Sequence, residues 1–210
     1  MSEDLDALRS ELRELVATRA FRYGDFVLTS GRRSTYYVDG KQVTLDARGL
    51  YLVSRIVMER CRALGVHAVG GLTLGADPIA SGVAALSGET DAPVPAFIVR
   101  KVVKEHGTAR AIEGPPLHAG MRVLLVDDTL TTGGTFLAAR ERVAETGAVI
   151  VEAVCVVDRE EGGREALEQA GISLHALFTR SEFPEPGKGP ASHDAASAHD
   201  AAVSPPAGRT

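Results

Sequence analysis

Residues 123–136, VLLVDDTLTTGGTF, constrain the fold more than any other part of the sequence. They begin with a run of valine and leucine, pass through two adjacent carboxylates, and continue as a loop of threonines and glycines that leads into a helical pattern. A strand of a parallel sheet is covered on both faces, so its sequence is continuously apolar. The stretch therefore predicts a buried strand, a loop and a helix N-terminus. Asp127 and Asp128 should lie at the carboxyl end of the strand, where ligands of such sheets bind.

The loop suits a phosphate group. Its threonines supply hydroxyls, and its glycines allow backbone N–H groups to converge on an anion at a helix N-terminus. The residues are Thr129, Thr131, Thr132, Gly133, Gly134 and Thr135. Two acids beside a phosphate are explained if they accept hydrogen bonds from vicinal hydroxyls, each contributing roughly 1.5–3 kcal/mol. A ribose 5-phosphate satisfies both halves of the site.

Other phosphate motifs do not fit this stretch. A P-loop has the pattern GxxxxGK[ST], whose lysine reaches the phosphates, and no lysine stands here. A dinucleotide fingerprint needs GxGxxG directly after the strand, and this pattern is absent too. From this stretch alone, an ordinary strand, turn and helix with solvated acids stays open as the alternative.

The acid pair and its Thr/Gly-rich loop closely resemble the 5-phosphoribosyl 1-pyrophosphate (PRPP) signature of type I phosphoribosyltransferases. Three further segments resemble the orotate phosphoribosyltransferase branch. Residues 30–41, SGRRSTYYVDGK, resemble part of the hood over the pyrimidine. Residues 100–107, RKVVKEHG, match the catalytic loop RKxxKxHG, and residues 156–163, VVDREEGG, resemble the strand end whose arginine contacts orotate.

This resemblance covers roughly residues 20–178 and implies an α/β protein with the type I phosphoribosyltransferase fold. We expect a central, mostly parallel sheet flanked by helices, with a small N-terminal hood at about residues 20–45. The implied reaction is orotate plus PRPP giving orotidine 5'-monophosphate and pyrophosphate, in the de novo synthesis of UMP. Mg²⁺ is implied as a cofactor bound mainly through PRPP, since Mg²⁺ keeps waters and prefers substrate phosphates. We therefore expect no direct metal ligand from the protein.

The resemblance also assigns roles to individual residues. The catalytic residues would be Asp127, Asp128, Lys101, Lys104 and His106. PRPP would be bound by Arg100, Lys101, Lys104, His106, Asp127, Asp128, Thr129, Leu130, Thr131, Thr132, Gly133, Gly134 and Thr135. Orotate would be bound by Thr131, Arg159 and Tyr37. In the family the basic loop reaches the active site of the neighbouring subunit, which implies a homodimer.

Charge and residue chemistry agree with parts of this assignment. The net charge of −5 gives no overall attraction for nucleic acid, so a polyanion site must come from a local cluster of cations. Such a cluster occurs at residues 100–110, although a solvated basic loop is the alternative there. Arg159 follows an apolar strand pattern and presents a planar fork of donors that suits the carbonyl edge of a pyrimidine. A salt bridge with Asp158 or Glu160 is its alternative.

A second anion site is predicted at residues 71–77, GLTLGAD, where a glycine-bounded loop opens a helix. It resembles the pyrophosphate loop of the family, but several members carry lysine where Gly75 stands here. Some members also carry lysine immediately before the SGR turn, where this chain has Thr29. Lys41 and Arg33 are the candidates to compensate.

Length and composition predict one domain, at residues 1–181, followed by a disordered tail at 182–210 that is rich in Pro, Ala and Ser. Cys61 and Cys155 fit apolar patterns and read as buried thiols. The N-terminus has no signal-peptide pattern and no apolar run reaches 18 residues, so we expect a cytoplasmic protein without membrane or nucleic-acid partners. Two other functions stay open: a purine or uracil phosphoribosyltransferase, and a non-catalytic regulator that senses PRPP.

Overall fold

The fold is built from a six-stranded sheet, a separate hairpin and helices packed on the sheet. The structure, a computed structural model, describes residues 2–27, 33–101 and 111–184. The strands are Phe21–Val27 (β1), Arg33–Val38 (β2), Ala68–Leu72 (β3), Ala96–Val99 (β4), Ile112–Glu113 (β5), Arg122–Leu130 (β6), Val149–Asp158 (β7) and Leu174–Thr179 (β8). The helices are Ser2–Leu15 (α1), Lys41–Thr44 (α2), Ala47–Leu64 (α3), Ala76–Ser87 (α4), Gly134–Ala144 (α5) and Gly163–Gln169 (α6).

The central sheet has the strand order β5-β4-β3-β6-β7-β8, and all its pairs are parallel except that of β4 with β5. Strand β6 lies in the middle and is covered on both faces. Leu124 and Val126 pack into one core cluster, while Val123 and Leu125 pack into the other. This arrangement confirms the prediction of a buried parallel strand. Among the described residues, no helix has the length and apolarity needed to cross a membrane.

Local signals set the bounds of several helices. The Asp46 carboxylate accepts hydrogen bonds from the backbone N–H groups of Arg48 and Gly49 at the start of α3. Gly65 ends this helix in the left-handed conformation, with φ +58°. Leu8 and Leu12 of α1 are buried, as their helical spacing predicts. In each case, residues adjacent in sequence or one helical turn apart provide the signal.

The hood is an antiparallel hairpin of β1 and β2, whose strands begin at Phe21 and Arg33. Residues 28–32, between the two strands, lie outside the described residues. A 3-10 turn, Arg180–Glu182, follows β8 and brings Phe183 onto the hood. The rings of Phe183 and Phe21 stack with centroids 4.7 Å apart, and Phe183 is buried.

The predicted tail boundary at residue 182 is therefore too early. Residues 182 and 183 belong to the folded domain because the Phe183 ring packs between Phe21 and Phe178. The composition of the segment, rich in proline and small residues, hid this aromatic contact. Residues 185–210, to which the tail prediction also applies, lie outside the described residues.

Candidate active site at the carboxyl ends of the strands

The acid pair lies where the sequence predicts, at the carboxyl end of β6. The strand continues through both acids to Leu130, and the carboxylates are buried, with residue exposures of 5% for Asp127 and 4% for Asp128. The backbone N–H of Asp128 donates to Asp127 Oδ1 at 2.9 Å. Lys41 Nζ donates to Asp128 Oδ2 at 2.8 Å. The acids are therefore held in fixed positions, and solvated side chains at this site are excluded.

Burial and nearby charges shift the pKa values of Asp127 and Lys41. Burial raises the pKa of Asp127 to about 7, and the negative charge of Asp128 adds to the shift. Burial alone would lower the pKa of Lys41, but its hydrogen bond and ion pair with Asp128 raise that pKa overall. Asp127 therefore gains or loses its proton close to neutral pH, whereas Lys41 stays charged beside Asp128.

Replacing Asp127 by Asn should change how stability depends on pH. An acid with a raised folded-state pKa stabilises the fold below its ordinary pKa of 3.8, and this contribution is lost as the pH rises towards 7. The free energy of unfolding of Asp127→Asn minus that of the wild type should therefore rise by about 1–4 kcal/mol from pH 4 to pH 7.5. Urea denaturation of both proteins across this range measures the difference. The exposed Asp91→Asn serves as the control, and a constant difference for Asp127→Asn would contradict the prediction.

The loop after β6 leaves polar groups open to a ligand in front of a helix N-terminus. Gly133 has φ +85° and precedes α5, and Thr132, Gly134 and Thr135 are exposed. Gly133 lies against α6, since an added Cβ would stand 3.3 Å from the carbonyl oxygen of Gly163. Exposed N–H groups and hydroxyls at the positive end of a helix dipole form a suitable anion site.

The loop after β3 lies directly against the acid pair. A Cβ added at Gly75 would stand 1.9 Å from Asp127 Oδ1 and 2.6 Å from Asp128 Oδ1. Thr73 donates its hydroxyl to Asp77 Oδ2 at 2.6 Å, which links the ends of the loop. No side chain fits at Gly75 beside the acids in these positions, so this packing accounts for the glycine at this position.

Two of the predicted basic residues share a cavity with the β3 loop. Arg100, Lys101 and Thr73 line this cavity of about 360 Å³. Arg100 Nη1 is 2.6 Å from Glu113 Oε1, so this carboxylate holds the guanidinium. Lys104 and His106 lie outside the described residues, and their roles stay predictions.

Arg159 lies at the end of β7, beside the hood. Its side chain is 10% exposed, and Nη2 stands 2.7 Å from Glu161 Oε1. Among the described residues, Nε and Nη2 have no hydrogen-bond partner of good geometry, although both atoms are buried. The ion-pair partner is Glu161, and neither of the two acids considered in the alternative interpretation: Asp158 pairs with Arg164, and Glu160 accepts from Ser181.

The hood presents Tyr36, and not Tyr37, to this arginine. The Arg159 guanidinium lies 5.4 Å from the centroid of the Tyr36 ring, and the Tyr36 hydroxyl donates to Glu161 Oε1. Tyr37 is 41% exposed and its ring contacts Phe26 instead. Successive residues of a strand face opposite sides, so only one of the two tyrosines can face the site. The alternation alone does not tell which of the two faces the site, and an orotate contact by Tyr37 stays a prediction.

Comparison with known proteins identifies the family. The phosphoribosyl transferase domain family matches residues 67–173. The orotate phosphoribosyltransferase of Thermosynechococcus vestitus is 47% identical over 183 residues, which cover 87% of this chain and 96% of that protein. The chain belongs to the orotate phosphoribosyltransferase family. The enzyme of Aquifex aeolicus, also an orotate phosphoribosyltransferase, is 44% identical over 83% of this chain and 97% of its own length.

Solved structures of orotate phosphoribosyltransferases have the same fold. The Mycobacterium tuberculosis enzyme, in a complex with Fe(III) dicitrate, has a TM-score of 0.73 and 39% identity, and covers 84% of this chain and 98% of that chain. A structure of the same enzyme with PRPP has a TM-score of 0.70 and 36% identity over the same shares. These matches confirm the predicted fold and the resemblance. They leave the roles of individual residues as predictions.

Proposed function

We propose that the protein transfers the phosphoribosyl group of PRPP to orotate, giving orotidine 5'-monophosphate and pyrophosphate in pyrimidine synthesis. The observation that carries this proposal is the order of the strand ends along one sheet edge. The β3 loop, the acid pair of β6 and Arg159 of β7 stand side by side, because β3, β6 and β7 are neighbouring parallel strands. The β3 loop suits the pyrophosphate, the acid pair and the loop after it suit the ribose 5-phosphate, and Arg159 suits the pyrimidine.

Departure of pyrophosphate leaves positive charge on the ribose, so the protein must hold the sugar and stabilise that charge. Asp127 and Asp128 would accept hydrogen bonds from the ribose hydroxyls and place negative charge near the developing cation. The loop 129–135 would bind the 5'-phosphate at the start of α5. Arg159 would orient the pyrimidine towards C1', so that positioning supplies much of the rate enhancement.

The leaving pyrophosphate would be neutralised by cations that share a cavity with the β3 loop. Arg100 and Lys101 line that cavity, and we propose that Lys104 and His106 join them. Mg²⁺ would bind oxygens of PRPP and neutralise part of its charge. Asp128 already shares Oδ2 with Lys41, which fits a metal held mainly by phosphates and water.

We also propose a cytoplasmic homodimer in which the basic loop serves the partner's site. The resemblance of residues 100–107 to the family's shared loop supports this arrangement. Light scattering during size-exclusion chromatography tests it, because a monomer at assay concentrations would contradict the shared loop.

A comparison of acceptor bases tests the activity. Purified protein with PRPP and Mg²⁺ is assayed for pyrophosphate release with orotate, uracil, hypoxanthine or adenine. We expect release with orotate at least about 100-fold faster than with the other bases, because Arg159 and the hood should discriminate by paired polar groups. Preference for uracil or a purine would assign another phosphoribosyltransferase, and PRPP binding without release would favour a regulator.

Glycines with positive φ provide a matched test of the phosphate site. Gly133→Ala places a side chain at φ +85°, which costs about 1–2 kcal/mol and should distort the loop. We expect the KM for PRPP to rise about 5- to 30-fold. Gly171→Ala is the control, because it places a Cβ at a similar φ of +74°, in open space between α6 and β8 and outside the loop 129–135. Equal effects of the two changes on KM would contradict this role of Gly133.

A further inference from the structure

Lys41 contacts the acid pair from a part of the chain that is distant in sequence. It begins α2, and its ammonium lies 2.8 Å from Asp128 Oδ2. A Cβ added at the preceding Gly40 would stand 2.9 Å from Asp128 Cβ and 2.9 Å from Thr129 Oγ1. The backbone before α2 is thus packed onto the end of β6, and this packing fixes where the lysine side chain begins.

The charges around Lys41 indicate what its ammonium does. It lies near the carboxylates of Asp128, Asp39 and Asp127, and Asp128 is the one that it contacts. Within the part of the chain that the structure describes, Lys41 is the one cation that forms an ion pair with Asp127 or Asp128. Arg100 pairs with Glu113 instead. Two buried carboxylates would repel a ligand that carries several phosphates, and the repulsion is strong where water is excluded.

We propose that Lys41 is a positioning residue for the phosphoribosyl donor: it fixes the Asp128 carboxylate and cancels the charge of that carboxylate towards the donor's phosphates. The inference rests on the proposed function, since it requires a phosphoribosyl donor at the acid pair. Because Lys41 occupies Asp128 Oδ2, the ribose hydroxyl is directed to Oδ1, the oxygen on the side of Gly75. Lys41 therefore supports donor binding and does not compete with it.

Two substitutions separate charge from packing. Lys41→Met keeps most of the side-chain length and removes the charge, whereas Lys41→Arg keeps the charge. We expect Lys41→Met to raise the Kd for PRPP with Mg²⁺, measured by calorimetry without any base, about tenfold. The KM for PRPP should rise by a similar factor, the KM for orotate should change less than about twofold, and Lys41→Arg should recover most of the loss.

Arg19→Met is the matched control. Arg19 lines the same cavity of about 430 Å³ as Lys41, but its ion pair is with Asp46 and it is not paired with the acids of β6. Its removal should leave the Kd for PRPP unchanged. Thermal melting of each variant shows that the fold is retained.

The outcomes separate this inference from the proposed function. Wild-type protein that binds PRPP, together with Lys41→Met of equal affinity, overturns the role of Lys41 and leaves the transferase activity standing. Equal losses in Lys41→Met and Lys41→Arg also overturn it, because the charge would then not be the cause. Wild-type protein that does not bind PRPP overturns the proposed function itself.

Discussion

Asp128→Asn is expected to lower kcat for orotate-dependent pyrophosphate release by about 10²- to 10³-fold while the protein stays folded. The amide has nearly the shape of the carboxylate but carries no charge. It would lose the charged acceptor for a ribose hydroxyl and the negative charge that stabilises the developing cation. Loss of one preorganised electrostatic contact typically costs about 2.7–4 kcal/mol of transition-state stabilisation, which corresponds to this range of rates.

The structural cost of this change should be smaller than its catalytic cost. Asp128 is paired with Lys41, whose side chain is 39% exposed and can turn to water when the partner charge is removed. Removal of the Asp128 charge should also lower the pKa of Asp127 towards its ordinary value, because the charge of Asp128 contributes to the present shift. Steady-state kinetics measure the loss of turnover, and circular dichroism checks that the protein stays folded. Asp91→Asn is the charge-matched control. Unchanged turnover in folded Asp128→Asn protein would remove the acid pair from the mechanism.

Arg159→Ala is expected to raise the KM for orotate about 100-fold and to leave the affinity for PRPP alone nearly unchanged. When the base binds, a ligand oxygen should replace Glu161 as the partner of the Arg159 guanidinium, which is almost fully buried. Truncation of such a buried charged group costs about 2–5 kcal/mol. Arg159→Lys should recover only part of the loss, because an ammonium keeps the charge but lacks the planar fork. Arg142→Ala, which removes a partly exposed guanidinium from α5, serves as the control.

The Arg159 prediction is specific for the base subsite. The Tyr36 ring lies near two guanidinium groups, with that of Arg180 at 4.3 Å and that of Arg159 at 5.4 Å from its centroid. The loop 129–135 joins β6 to α5, so loss of Arg159 from the end of β7 should not disturb it. Equal rises in the Kd for PRPP and the KM for orotate would show that Arg159 supports the whole site and does not choose the base.

Features determined by nearby residues could be predicted from the sequence. The buried strand around Leu125 was predicted correctly from its apolar run. The bounds of α3, at the Asp46 cap and at Gly65, are likewise encoded by adjacent residues. The acids of β6 were placed correctly because the apolar run fixes the end of the strand. Their near-complete burial was not predictable, since Gly40 and Gly75 cover them from distant parts of the chain.

The features that the sequence did not predict depend on contacts across the chain. Lys41 reaches Asp128 over 87 positions, and a four-residue helix leaves little periodicity to detect. The choice between Tyr36 and Tyr37 depends on which face of the hairpin meets Arg159. Phe183 was assigned to the tail because its neighbours resemble a linker, although its ring is buried against Phe21.

The contacts of Phe183 also determine the order in which the parts of the enzyme can assemble. The Tyr23 hydroxyl donates to its carbonyl oxygen over 160 positions, and Arg13 of α1 donates to the carbonyl of Glu182 over 169 positions. During synthesis the hairpin leaves the ribosome early but lacks this partner until residue 183 has emerged. The hood hairpin can therefore complete its packing on Phe183 only when nearly the whole domain is outside the exit tunnel. A nascent chain that carries the complete acid pair would still lack the finished hood.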